Sequence, residues 1–140
     1  MATFKVEGLQ ELADEIAKRG QVSGDVMERM LKSAADIVTE GVKNSVSSHG
    51  LIDTGALHKS IRPGAVTVYS DSGTVEVWPQ GNASRHGHTE RNATVGFVQE
   101  YGRKYGKKYR PGVGFMAEGV DSSADRAVES MIAIWNEAGG

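Results

Sequence analysis

Asp53 is the residue best placed to do chemistry. It precedes Thr54 and Gly55 and follows two apolar residues, Leu51 and Ile52. An aspartate in such a loop can share a proton with a second carboxylate and act as one half of a general acid–base pair. A second copy of the chain would have to donate the other Asp53. The histidines offer a different chemistry. His86 and His88 are spaced to point the same way on an extended segment, Glu90 follows them, and His49 and His58 lie close to the Asp53 triplet in sequence. A zinc site needs three or four ligands held by further partners. The polar, glycine-containing stretch around His86 supplies neither rigidity nor an obvious third ligand. The expectation is no metal and no cofactor. No Walker-type glycine loop, no Ser-His-Asp order with a nucleophile elbow and no convincing carboxylate pair occurs, so catalysis is not expected.

The elements that must position Asp53 argue against acid–base work. A homodimeric aspartic protease carries its Asp-Thr-Gly loops in an all-β fold, whereas the 50 residues before Asp53 read as helices. Leu9, Leu12, Ala13 and Ile16 fall on one helical face, and Gly20 gives a stop. A longer helix starts near Asp25, which has capping-box spacing to Glu28. Met27, Met30, Leu31, Ala34, Ile37, Val38 and Val42 then recur every three or four residues, to about Ser47. Gly41 is a weak point in that helix, at about 1 kcal/mol relative to alanine.

Beyond Asp53 the period becomes strand-like. Val66 to Ser70 and Thr74 to Trp78 alternate about the turn Asp71-Ser72-Gly73 and predict a β-hairpin. Residues 80–92 are polar and predict a mobile loop. Thr94 to Tyr101 predicts a third strand. Ser122 to Ala138 is amphipathic, with Ala124, Ala127, Val128, Met131, Ile132, Trp135 and Ala138 on one side. The resulting order is α-α-β-β-β-α. It predicts one α+β domain over residues 1–140, with a small antiparallel sheet of three to four strands packed against a long helix and a C-terminal helix.

Composition sets the outer bounds. The chain has 140 residues, 39% hydrophobic and 24% charged, the balance of an ordinary soluble domain. Apolar runs are too short to span a bilayer, and Met-Ala-Thr-Phe-Lys lacks the basic start and apolar run of a signal peptide. Without cysteine, thiolate chemistry and disulfides are excluded.

Charge is unevenly spread. Between Arg103 and Arg110 the chain places Arg103, Lys104, Lys107, Lys108 and Arg110, with Tyr101, Tyr105 and Tyr109 at every fourth position. The whole chain is formally −2, so the remainder without these five cations is −7. Such polarity suits a molecule that binds copies of itself or an acidic neighbour. The same residues suit nucleic acid, with cations on phosphates and tyrosines stacked on bases. A solvated loop without a partner is the third possibility, and the interface is the favoured one.

Four elements in order resemble a known family. They are Val6, Gly8, Leu9 and Leu12; then Thr54, Gly55, Leu57, Ser60 and Ile61 after the long helix; then Val98, Gln99, Glu100, Tyr101 and Gly102; and last Pro111 ahead of Phe115 and Met116. In this the chain resembles the neck or tail-completion (head–tail joining) proteins of long-tailed, lambda-like bacteriophages. It departs from that pattern in two places. Leu51-Ile52-Asp53 stands where a proline is usual, and Gly112-Val113-Gly114 separates Pro111 from Phe115.

The motif residues have plain structural roles. Thr54 or Asp53 would cap a short helix that carries Leu57 and Ile61 inward, and Gly55 would allow close packing there. Gly102 would start a loop with positive φ, and Pro111 would lie just ahead of a helix. The resemblance implies a structural virion protein assembled in the host cytoplasm as a homo-oligomeric ring at the head–tail junction. Portal or head-completion proteins would lie on one side and tail-terminator or tail proteins on the other, with no membrane involved. It allows non-specific contact with packaged DNA. The loops 80–92 and 102–114 would be mobile and ordered by neighbouring subunits. The alternatives are a basic-loop nucleic-acid-binding module and the homodimeric protease.

Overall fold

The computed structural model describes residues 24–51, 55–69 and 72–138. The helix expected over Leu9–Arg19, the motif residues Val6 to Leu12, and Asp53 and Thr54 all lie outside them.

Two long antiparallel helices form the frame. The first, α1, spans Gly24–Ser48, and the last, α4, spans Phe115–Glu137. Asp25 lies in the first turn of α1, where a carboxylate faces the positive end of the helix dipole. Of the stripe read from sequence, Met30, Val38 and Val42 are each at most 2% exposed, the other members are partly buried, and Val46 extends the buried face by a further turn. Met30 packs with Met131 and Trp135 where the start of α1 meets the end of α4. At the other end, Val42, Val46, Leu57, Ile61, Val77, Phe115 and Met116 make the main core.

Gly41 has a purpose that its helix propensity hides. A Cβ there would lie 2.7 Å from the carbonyl oxygen of Gly119 and 2.7 Å from Ser123 Cβ. A Cβ on Gly119 would lie 2.5 Å from Val42 Cα. The helices therefore touch backbone to backbone at this crossing, and only glycine fits on either side. Ser123, fully buried, donates its hydroxyl to the Gly119 carbonyl at 2.7 Å and keeps the crossing satisfied. Farther along, the hydroxyls of Ser33 and Ser130 hydrogen-bond across the pair, and His49 meets Glu118.

The strands do not form one sheet. Among the described residues, eight short strands make four separate two-stranded antiparallel sheets. This corrects the expected three- to four-stranded sheet packed against a long helix. Between α1 and the strands lies a short helix, α2, at Ala56–Ser60. Then come β1 (Ile61–Pro63), β2 (Thr67–Val68), β3 (Gly73–Thr74) and β4 (Val77–Pro79). β1 pairs with β4 and β2 with β3, so the two pairs nest in one hairpin. Three residues, 64–66, oppose two, 75–76. The extra residue breaks the ladder as a bulge does. The predicted Val66–Ser70 and Thr74–Trp78 pairing is thus reduced to two residue pairs near the turn, and the better-buried β1 and β4 replace the rest.

Residues 82–91 form a hairpin, with β5 at Asn82–Arg85 and β6 at His88–Arg91. His86 and Gly87 have φ of 51° and 83°, the two positive values that a type I′ turn needs. The turn breaks the extended segment assumed for His86 and His88. Arg85 is buried, and its guanidinium donates to Asn92 Oδ1, tying this hairpin to the next helix.

The expected third strand is a helix, α3, at Asn92–Tyr101. β-branched and aromatic residues in 94–101 favour a strand locally, but no neighbouring strand pairs with it. The helix is instead held by packing: Gly96 is buried so closely against the Pro79 ring that a Cβ would lie 2.7 Å from it. Phe97 and Tyr101, one turn apart, stay exposed with ring centroids 4.8 Å apart. After α3 come β7 (Gly102–Tyr105) and β8 (Lys108–Pro111), followed directly by α4.

Candidate functional site

The basic residues stand together on one projecting arm, the β7–β8 hairpin. Arg103 pairs with Arg110, Lys104 with Tyr109 and Tyr105 with Lys108. Paired residues share a face, and alternate pairs change face. Arg103, Arg110, Tyr105 and Lys108 thus line one side of the arm, and Lys104 and Tyr109 the other. Gly106, with φ of 59°, and Lys107 make the two-residue turn at the tip. Every residue from 103 to 111 is exposed, Tyr109 to 62% and Tyr105 to 50%. The Arg103 guanidinium lies 5.0 Å from the centre of the Tyr105 ring. None of the five cations has an ion-pair partner among the described residues; the pairs found there are Arg29–Glu137, Lys32–Glu28 and His49–Glu118.

The arm is weakly built but firmly rooted. A two-stranded hairpin is marginal in water, and like charges set opposite each other, as Arg103 and Arg110 are, weaken it further. Its base, by contrast, is locked. Gly102 has φ of 90°, and a Cβ there would run into the Arg110 carbonyl oxygen. Tyr109 donates its hydroxyl to the Tyr101 carbonyl at 2.6 Å. The Val113 and Gly114 amides bond the carbonyls of Gln99 and Glu100 at 2.8 and 3.2 Å. The Glu100 carboxylate accepts the amides of Met116, at 2.6 Å, and Ala117, at 3.2 Å. One side chain at the end of α3 thereby caps the start of α4, and a carboxylate is the right group for that positive helix end.

The other described motif residues lie in the core or at element ends. Leu57, Ser60 and Ile61 are buried, and Ser60 donates to the Leu57 carbonyl at 2.7 Å. Gly55 stands at the N-cap of α2 with φ of 77° and no atom near its missing Cβ, so backbone conformation and not close packing explains it. Phe115 is 0% exposed and begins α4, seven residues before the predicted start. Pro111 closes β8 and lies three residues short of that helix's N-cap, Gly114. Helices α1 and α2 flank the Asp53 triplet.

Among the described residues no group of three or more His, Cys, Asp or Glu is placed to share a metal ion. No helix among them is long and apolar enough to cross a membrane. A cavity of about 190 Å³ lies beside the arm's root, lined in part by Trp78, Pro79, Phe97 and Met116. It falls below the range of roughly 300–1,000 Å³ usual for small-molecule sites.

Sequence reading missed Glu100's reach to α4 and the glycine crossing at Gly41 and Gly119. It also passed over Asp121, Asp125 and Glu129, whose four-residue spacing on a helix was visible as a signal. Comparison with protein-family models, with curated proteins and with solved structures found no match.

Proposed function

We propose that the chain is a structural protein of a phage head–tail junction, assembling as a ring through surfaces that include the β7–β8 arm. The observation that carries the reading is the arm itself. Five cations without an ion-pair partner among the described residues, and two exposed tyrosines, are concentrated on a hairpin whose charge pattern opposes its own stability. A group of like charges held out from the body gains stability only when something acidic covers it. The ordered motif elements, with Glu100 and Gly102 at the arm's root, support the family resemblance that supplies the head–tail role.

Labelling the protein in electron micrographs of the virions that carry it tests this reading. Label at the head–tail junction is the expected result. Purified virions without the protein, or label elsewhere, would contradict it. In the same system, Lys104→Glu, Lys107→Glu and Lys108→Glu together should leave full heads and free tails unjoined. Normal phage yield from that triple variant would remove the arm from the account.

A second reading keeps the same observation but gives the arm nucleic acid as its partner. It requires an affinity for DNA that falls steeply with salt and that depends on the same lysines.

A further inference from the structure

We infer that the arm's partner is the outer face of α4 on a second copy of the chain. This inference rests on the ring reading above and names the contact that would build it. The charge of the molecule is separated into two surfaces. The arm holds +5, and α4 holds Glu118, Asp121, Asp125, Glu129 and Glu137 against Arg126 alone, a net −4. More than half of the −7 left outside the arm is therefore on this one helix.

Asp121, Asp125 and Glu129 follow one another at four-residue spacing on the face of α4 turned away from α1, and all three are exposed. Among the described residues none has an ion-pair partner, whereas Glu118 and Glu137 are paired with His49 and Arg29. Repeated carboxylates at i and i+4 repel each other, so the helix too carries a pattern that an outside cation would relieve.

The dimensions agree. From Asp121 to Glu129 is about 12 Å along the helix. From the Arg103–Arg110 pair to the tip at Lys107 is about 10 Å along the arm. Three carboxylates thus span a length similar to that of the cations. Ile132, exposed one turn beyond Glu129, offers an apolar surface at one end of the stripe for a tyrosine of the arm.

The arm grows from the N-terminal end of α4, while its complement runs along the outer side of that helix. Arm and stripe are different surfaces of one chain, so the contact is head-to-tail. Such contacts close into a ring when the rotation allows and otherwise run on as a filament.

Charge exchange tests this contact without any phage partner. Sedimentation of the full chain is measured at about 50 mM and about 500 mM salt, either side of the range where exposed charges are screened. The wild type should associate at low salt and weaken at least tenfold at high salt. Lys104→Glu/Lys107→Glu/Lys108→Glu and, separately, Asp121→Lys/Asp125→Lys/Glu129→Lys should each remain monomeric. An equimolar mixture of the two should associate again, because each supplies what the other's surface now needs. The neutral versions, with Gln at the three lysines and Asn or Gln at the three acids, should each be monomeric and on mixing stop at a dimer, because one keeps the basic arm and the other the acidic stripe, whereas the charge-reversed mixture can continue beyond a dimer. Circular dichroism of each variant checks the fold, and the six-fold exchange within one chain should restore association if either triple variant misfolds.

Several results would overturn the inference. One is a wild type that stays monomeric at low salt, and another is association unaffected by either triple change. A third is a folded pair of variants that fails to recover on mixing. Loss of DNA binding in the lysine variant alone, with no change in mass for the acid variant, would give the arm to nucleic acid. An associating chain found away from the head–tail junction would defeat the proposed function and leave this contact standing.

Discussion

Glycine at positions 41 and 119 decides how closely α1 and α4 approach, and the energies show which effect dominates. Alanine at either position gains about 1 kcal/mol of helix propensity. The added Cβ meets backbone atoms of the other helix at 2.5–2.9 Å, and overfilling a packed contact costs about 1–3 kcal/mol. Backbone cannot swing aside as a side chain can, so the penalty should prevail. Gly119→Ala should lower the unfolding free energy, by up to about 2 kcal/mol, in urea titration; a stabilised variant would show that the helices part easily. Glu100 is a second residue whose importance depends on what it reaches. Glu100→Ala removes the acceptor for two amides at the start of α4 and should cost about 1–2 kcal/mol, by the same assay. Glu100→Gln should recover part of that loss, because an amide oxygen still accepts a hydrogen bond but lacks the charge. Neither role is visible from local sequence. Propensity marks Gly41 as a defect, and Glu100 lies in a segment whose own pattern says strand.

The elements divide by how far their partners lie along the chain. α1 and the body of α4 were legible because each carries an apolar stripe at helical spacing, and a stripe needs only something apolar opposite it. The sheet was not legible. Alternation at Val66–Ser70 and Thr74–Trp78 indicated strands, but the bulge at 64–66 shifts the pairing by one residue, and only Thr67, Val68, Gly73 and Thr74 pair there. Residues 94–101 misled because their β-branched and aromatic side chains fit a pleated sheet, whereas Pro79 and α4 offer a surface that fits a helix. The two hairpins at 82–91 and 102–111 look like loops in sequence because their strands lack apolar alternation. The signal available was four residues on either side of His86-Gly87 and of Gly106-Lys107. The arms make a dynamic prediction. Residues 103–110 are all exposed, so their amides should exchange with deuterium within the fastest class of the free chain, while those of α1 and α4 are among the slowest. Once the chain assembles, the arm's amides should slow at least tenfold. An arm equally protected in monomer and assembly would mean that it is not the contact.

At the scale of the whole molecule, one end of the helix pair carries a rigid joint from which a charged arm projects, and the opposite charge lies along the outside of the same helix pair. The sequence displayed the cations but not their geometry. The root at Gly102, Tyr109, Gly114 and Glu100 ties the base of the arm to the start of α4, so copies joined through the arm would meet at a constant angle. A constant angle is what a closed ring requires, and a loosely tethered basic loop would not provide it.

The most direct test of the ring is its mass. Light scattering on the purified chain, alone and then with isolated portal complexes or tails, should find a discrete oligomer whose mass is a whole multiple of the 15.0 kDa chain and independent of further concentration. A persistent monomer, or a dimer indifferent to portals and tails, would contradict the head–tail account.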